Sequence, residues 1–75
     1  MLFVKKIREK LGLNQYKMGQ QLGFKSTQAY ISFEETKYSI NAEKMIRLWE
    51  LSGLSAEDFL QLIAKEVKQN KNAKR

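Results

Sequence analysis

The sequence predicts an all-α fold, a compact domain of five short helices. Three observations predict it. Apolar residues recur at helical spacing, and no segment alternates apolar and polar residues long enough to form a strand. Gly12, Gly23 and Gly53 stand where that periodicity stops, as helix-terminating glycines do. Asn14, Asn41 and Ser55 stand where the next helix resumes, and their short polar side chains suit an N-cap.

The first helix carries Val4, Ile7 and Leu11 at i, i+3 and i+7, with Lys5, Lys6, Glu9 and Lys10 on its other face, and Gly12 stops it. Asn14 opens a short second helix with Met18 and Leu22 inward, and Gly23 closes it. A third begins at Lys25 or Ser26 and ends near Glu34 or Glu35. Asn41 caps a fourth, whose apolar stripe reads Met45, Ile46, Leu48 and Trp49, with Trp49 in the core. Ser55 caps the fifth, Asp58 completes a variant capping box, and Phe59, Leu60, Ile63 and Val67 form the inward face. Residues 1–66 are expected to make one domain. Residues 67–75 are expected to be a basic, frayed or disordered tail, without a large apolar side chain from Gln69 onward.

Composition removes whole classes of function. The 75 residues suffice for one domain, which at this size buries only about 60% of its unfolded surface. There is no cysteine, so disulfides, thiolate metal sites and cysteine nucleophiles are excluded. There is no histidine either, which removes the commonest general base and the commonest zinc ligand. An enzyme is the weakest reading; no catalytic group, metal site or cofactor is expected. The longest apolar run is four residues, against roughly 20 for a membrane span. The charges at Lys5 and Lys6 follow the apolar Met1–Val4 run, the wrong order for a signal peptide. A cytoplasmic protein with no membrane contact and no small-molecule ligand is expected.

The net charge is +6, unevenly spread. Residues 1–40 hold seven basic and three acidic side chains, residues 41–64 two and four, and residues 65–75 five and one. A basic surface on so small a domain points toward a polyanion.

The most informative stretch runs from Leu13 to Ile40. Two short helices joined through Gly23 form a helix-turn-helix, in which the second helix braces the third so that the third can lie in a major groove. If Phe24, Tyr30 and Phe33 face the core, the opposite face of the third helix shows Thr27, Gln28, Ile31 and Ser32 and no carboxylate before Glu34. Gln28 carries a donor and an acceptor in one plane, as a bidentate pair with adenine requires.

Leu11-Gly12-Leu13-Asn14-Gln15, Leu22-Gly23-Phe24, Phe33-Glu34 and Leu51-Ser52-Gly53-Leu54-Ser55 follow one another in this order. Over residues 3–63 the sequence thereby resembles the lambdoid phage repressor and Cro family of five-helix DNA-binding domains. The resemblance implies that Gln15 touches a phosphate, and that Thr27, Gln28 and Ser32, with Ser26 just ahead, read bases. It also implies an ion pair between Arg8 and Glu34, although a longer turn at Phe24–Thr27 leaves Glu35 as an alternative partner. Asn14, Lys25 and Lys37 are further phosphate candidates; Asn14 can also serve as an N-cap. Tyr38 either stacks on nucleic acid or covers the core. The chain departs from the family pattern at Gly19, where alanine is usual, and at Thr36 and Ile40, which replace a glycine and a proline. Thr36 is a poor left-handed cap, so that loop is expected to turn differently.

The leading expectation is a sequence-specific double-stranded DNA-binding regulator, most simply a repressor acting as a homodimer on a pseudo-palindromic operator. Phe59, Leu62 and Ile63 on the fifth helix are the expected dimer contact. A restriction-system controller or an antitoxin would share fold and size. A protein-interaction module that has lost DNA binding is the competitor from another class.

Overall fold

A computed structural model describes residues 1–73 of the chain. Five helices follow in order: α1 (Leu2–Leu11), α2 (Gln15–Gln21), α3 (Thr27–Glu35), α4 (Ala42–Ser52) and α5 (Ala56–Ala73). No strand occurs among the described residues. None of the helices is long and apolar enough to cross a membrane.

Local chemistry sets most helix ends. The Asn14 side chain accepts the Lys17 N–H, Ser26 that of Ala29, Asn41 that of Lys44 and Ser55 that of Asp58, each at 2.8–3.1 Å. Each satisfies a backbone donor that the helix itself leaves open. Gly12 and Gly53 close α1 and α4 in the left-handed conformation, with φ of 72° and 71°.

The core is a single cluster built around Phe3, Val4, Ile7, Met18, Leu22, Tyr30 and Leu48, each no more than 2% exposed. Its helices meet through i, i+3, i+4, i+7 stripes. In α2 and the turn after it the stripe is Gln15, Met18, Gly19 and Leu22; in α4 it is Met45, Leu48, Trp49 and Ser52. In α5 it is Phe59, Leu62, Ile63 and Glu66. Glu66 uses its place on that stripe to accept the backbone N–H groups of Leu2 and Phe3, so α5 supplies the cap of α1. The Met1 amino group donates to the backbone carbonyls of Glu34 and Thr36, which fastens the other side of α1 to the end of α3.

The helices α2 and α3 approach closely at Gly19. A Cβ on Gly19 would stand 3.0 Å from the Tyr30 Cβ, so only a glycine lets the two helices pack at this distance without movement. Phe24 fills the corner, edge-on to Tyr30 at 5.7 Å between ring centres and tilted against Phe33 at 4.9 Å.

Four expectations about facing are corrected. Leu11, Ile46, Leu60 and Val67 are exposed, at 37%, 53%, 65% and 40%. Leu11 is the last residue of α1, where the chain turns away at Gly12. Ile46, Leu60 and Val67 lie one position off the inward stripes of their helices. Phe59, assigned to a dimer contact, is instead in the core of its own chain, while Leu62 and Ile63 are partly buried against that core. α5 continues unbroken across 66–67 to Ala73, with no glycine or proline to interrupt it. Lys74 and Arg75 lie outside the described residues.

Replacing Gly19 with valine forces α2 and α3 apart against the buried Tyr30 stem. A loss of about 1–3 kcal/mol is expected, the usual cost of overpacking, read as a lower urea midpoint at unchanged slope.

Candidate nucleic-acid interface

The two faces of α3 differ sharply. Tyr30, Phe33 and Glu34 are buried, whereas Gln28, Ala29 and Ser32 are exposed and Thr27 and Ile31 half-buried at the margins. Gln28 therefore presents its amide to solvent, with Ser32 one turn along on the same exposed surface. Ser26 is exposed, but its hydroxyl is already used as the α3 N-cap. Lys25 and Lys37 flank the helix at its two ends, both exposed. Within α3, the only carboxylates are Glu34 and Glu35 at its C-terminal end.

Behind this face sits a buried carboxylate. Glu34, 6% exposed, takes Arg8 Nε at 2.8 Å, the Tyr30 hydroxyl at 2.6 Å and the Gln15 amide nitrogen at 3.1 Å. Arg8 also donates through Nη1 to the Leu13 carbonyl at 3.1 Å, which fixes the turn between α1 and α2. The Arg8 partner is thus Glu34, and Glu35 faces solvent. Burial alone would raise the Glu34 carboxyl pKa. The hydrogen bonds from Tyr30, Arg8 and Gln15 outweigh burial and hold it below the usual carboxylate value of 4.5. Burial, reinforced by the bond to Glu34, pushes the Tyr30 phenol well above its usual value of 10.0. The hydrogen bond to Glu34 also raises the Arg8 pKa.

The remaining candidates divide. Asn14 is exposed and caps α2, its side-chain oxygen accepting from the Lys17 N–H. Gln15 is tied inward by one amide N–H, a role the sequence assigned to no residue beyond Arg8 and Glu34. The spacing Tyr30–Glu34, i to i+4 on a helix, was the signal for the phenol–carboxylate bond; Gln15 carried no comparable signal. The loop after α3 begins without a left-handed cap at Thr36. Thr36 is extended, with φ −72° and ψ 164°, and Tyr38 takes the left-handed conformation at φ 57° instead. Tyr38 borders a surface hollow together with Phe24 and Phe33. On α4, Lys44 lies over the Phe24 ring at 5.0 Å, and Arg47 Nη1 stands 3.1 Å from where a Cβ on Gly23 would be. Two cations from α4 thus gather at the α2–α3 turn, which the sequence reading missed because they are about 20 residues away. No group of three or more acidic side chains among the described residues is arranged to hold a metal ion.

Comparison with protein-family models, curated proteins and solved structures finds no match to this chain.

Because Glu34 is more acidic folded than unfolded, its contribution to stability is complete above about pH 4.5 and is lost as pH falls through its folded pKa. Urea denaturation between pH 2 and 7 should show that acid limb, and Glu34→Gln should flatten it. An equally steep limb in the variant would assign it to other carboxylates. Glu34→Ala at neutral pH should cost up to about 3 kcal/mol, since the partly buried Arg8 is left without its partner.

Proposed function

We propose that the protein is a sequence-specific double-stranded DNA-binding regulator, in which α2 and α3 act as a helix-turn-helix and α3 enters the major groove. The observation that carries this reading is the division of α3: one face locked by Tyr30, Phe33 and Glu34, the other presenting Gln28 and Ser32 between Lys25 and Lys37. A helix held rigidly from behind and polar but uncharged in front suits base reading, because base edges offer donors and acceptors rather than charge. The resemblance to lambdoid repressor and Cro proteins in the Leu11–Gln15, Leu22–Phe24 and Phe33–Glu34 motifs supports the same reading. Gln28 is assigned to adenine, with Thr27 and Ser32 as neighbouring readers and Ser26 as the cap that positions them. Asn14, Gln15, Lys25 and Lys37 are assigned to phosphates. The second Gln15 amide hydrogen is left for that contact while Glu34 orients the group.

One small domain reads few base pairs, so a homodimer on a two-fold site is part of the proposal. With Phe59 in the core, the α5 contact is reassigned to exposed Leu60 and Val67 beside Ile63. Repression by occupying an operator needs no further chemistry from the chain.

Selection from a random duplex library tests the reading. Gln28→Ala should relax preference at one base pair per half-site and cost about 1–3 kcal/mol there. Lys25→Ala should weaken all duplexes alike and lower the salt slope by about one, as a phosphate contact does. A Gln28→Ala site logo identical to wild type would remove Gln28 as a reader, and a salt slope near zero on every duplex would remove DNA as the partner.

A further inference from the structure

A second cationic surface lies away from the exposed face of α3. Lysines from the N-terminal basic region and from the start of the C-terminal one, separated in sequence by an acidic-leaning stretch, meet along a groove between α1 and α5. The groove has a volume of about 690 Å³ and is open to solvent along its length. Lys6 and Lys10 edge the α1 wall, and Lys65 and Lys68 the α5 wall. All four are exposed. Between them the floor is mainly apolar, with Leu54 and Leu62 as its larger partly exposed side chains beside the polar Ser52 and Gln61. Asp58, near the start of α5, is the single carboxylate lining it among the described residues.

We infer that this groove docks an acidic amphipathic helix of a partner protein. The lysines on each wall stand four and three residues apart, about one helical turn. That spacing matches carboxylates on the two flanks of an incoming helix. An apolar ridge between those flanks would cover Leu54 and Leu62, in the helix-in-groove mode of recognition. The apolar floor separates this surface from a phosphate track, since a nucleic acid backbone has nothing apolar to place there. The lysine rim sets the sign of the partner and the floor sets its shape. The inference is independent of the DNA reading, because no residue of α2 or α3 lines the groove.

The test uses the full chain and a capped synthetic helical peptide of about 14 residues, with leucines on one face and glutamates on both flanks. A scrambled peptide of the same composition, without an apolar face, controls for net charge. Fluorescence anisotropy should give binding that weakens with salt, and the scrambled peptide should bind at least about tenfold more weakly. The Lys6→Glu/Lys65→Glu variant, and independently Lys10→Gln/Lys68→Gln, should lose binding at unchanged melting temperature. Lys25→Glu, a charge change on the α3 flank, should retain it. Equal binding of the scrambled peptide, or equal loss in Lys25→Glu, would overturn the inference in favour of nonspecific charge attraction. Displacement of the peptide by duplex DNA, together with loss of duplex binding in Lys6→Glu/Lys65→Glu, would overturn it in favour of a nucleic-acid surface. Concentration-dependent sedimentation that the same variant abolishes would overturn it in favour of a second copy of this chain.

Discussion

The Glu34 carboxylate is the constraint on which the arrangement of the first three helices depends. It lies on α3, and its partners come from α1 through Arg8, from α2 through Gln15 and from α3 itself through Tyr30. A buried charge is costly unless its lone pairs are filled, and here three donors fill them. The energetic gain over an apolar core of the same shape is small, because both ions must lose water. What the network supplies is direction. Apolar contacts tolerate rotation of one helix against another, whereas three hydrogen bonds to one carboxylate tolerate little. In a 75-residue domain with a small core, that directional restraint decides how α3 is turned.

Fixing the inner face of α3 fixes the outer one. Tyr30 both closes on Gly19 and donates to Glu34, so the close approach of α2 and the polar network act on the same side chain. Its neighbours on the opposite side, Gln28 and Ser32, carry none of that burden. The buried and the exposed polar side chains are thereby placed on opposite sides of one nine-residue helix.

Charge follows a different division. Lys6 and Lys10 meet Lys65 and Lys68 along the α1–α5 groove, while Lys44 and Arg47 from the acidic-leaning middle reach the α2–α3 turn. Net positive charge therefore lies on two surfaces of different character. One lies at the α2–α3 turn, beside Lys44 and Arg47. The other, between α1 and α5, sets a lysine rim around a mainly apolar floor.

Sequence alone determined the features that depend on neighbours a few residues apart. The caps at Asn14, Asn41 and Ser55, the left-handed glycines at Gly12 and Gly53, and the inward placement of Met18, Leu22 and Tyr30 all follow from local backbone chemistry and helical period. Arg8 paired with a glutamate at the end of α3 was legible only through the resemblance, and whether Glu34 or Glu35 filled the place was not. One residue turns a helix by about 100°, so only the packed position of α3 decides which carboxylate points inward. The same reason explains Ile46, Leu60 and Val67. They lie beside the correct stripes, and periodicity cannot fix a stripe's centre until the neighbouring helix is in place. Glu66 capping α1 from 64 positions away, and lysines 6 and 65 facing one groove, carry no local signal at all. Tertiary structure decided them, because contacts between distant residues arise only when the core brings their helices together.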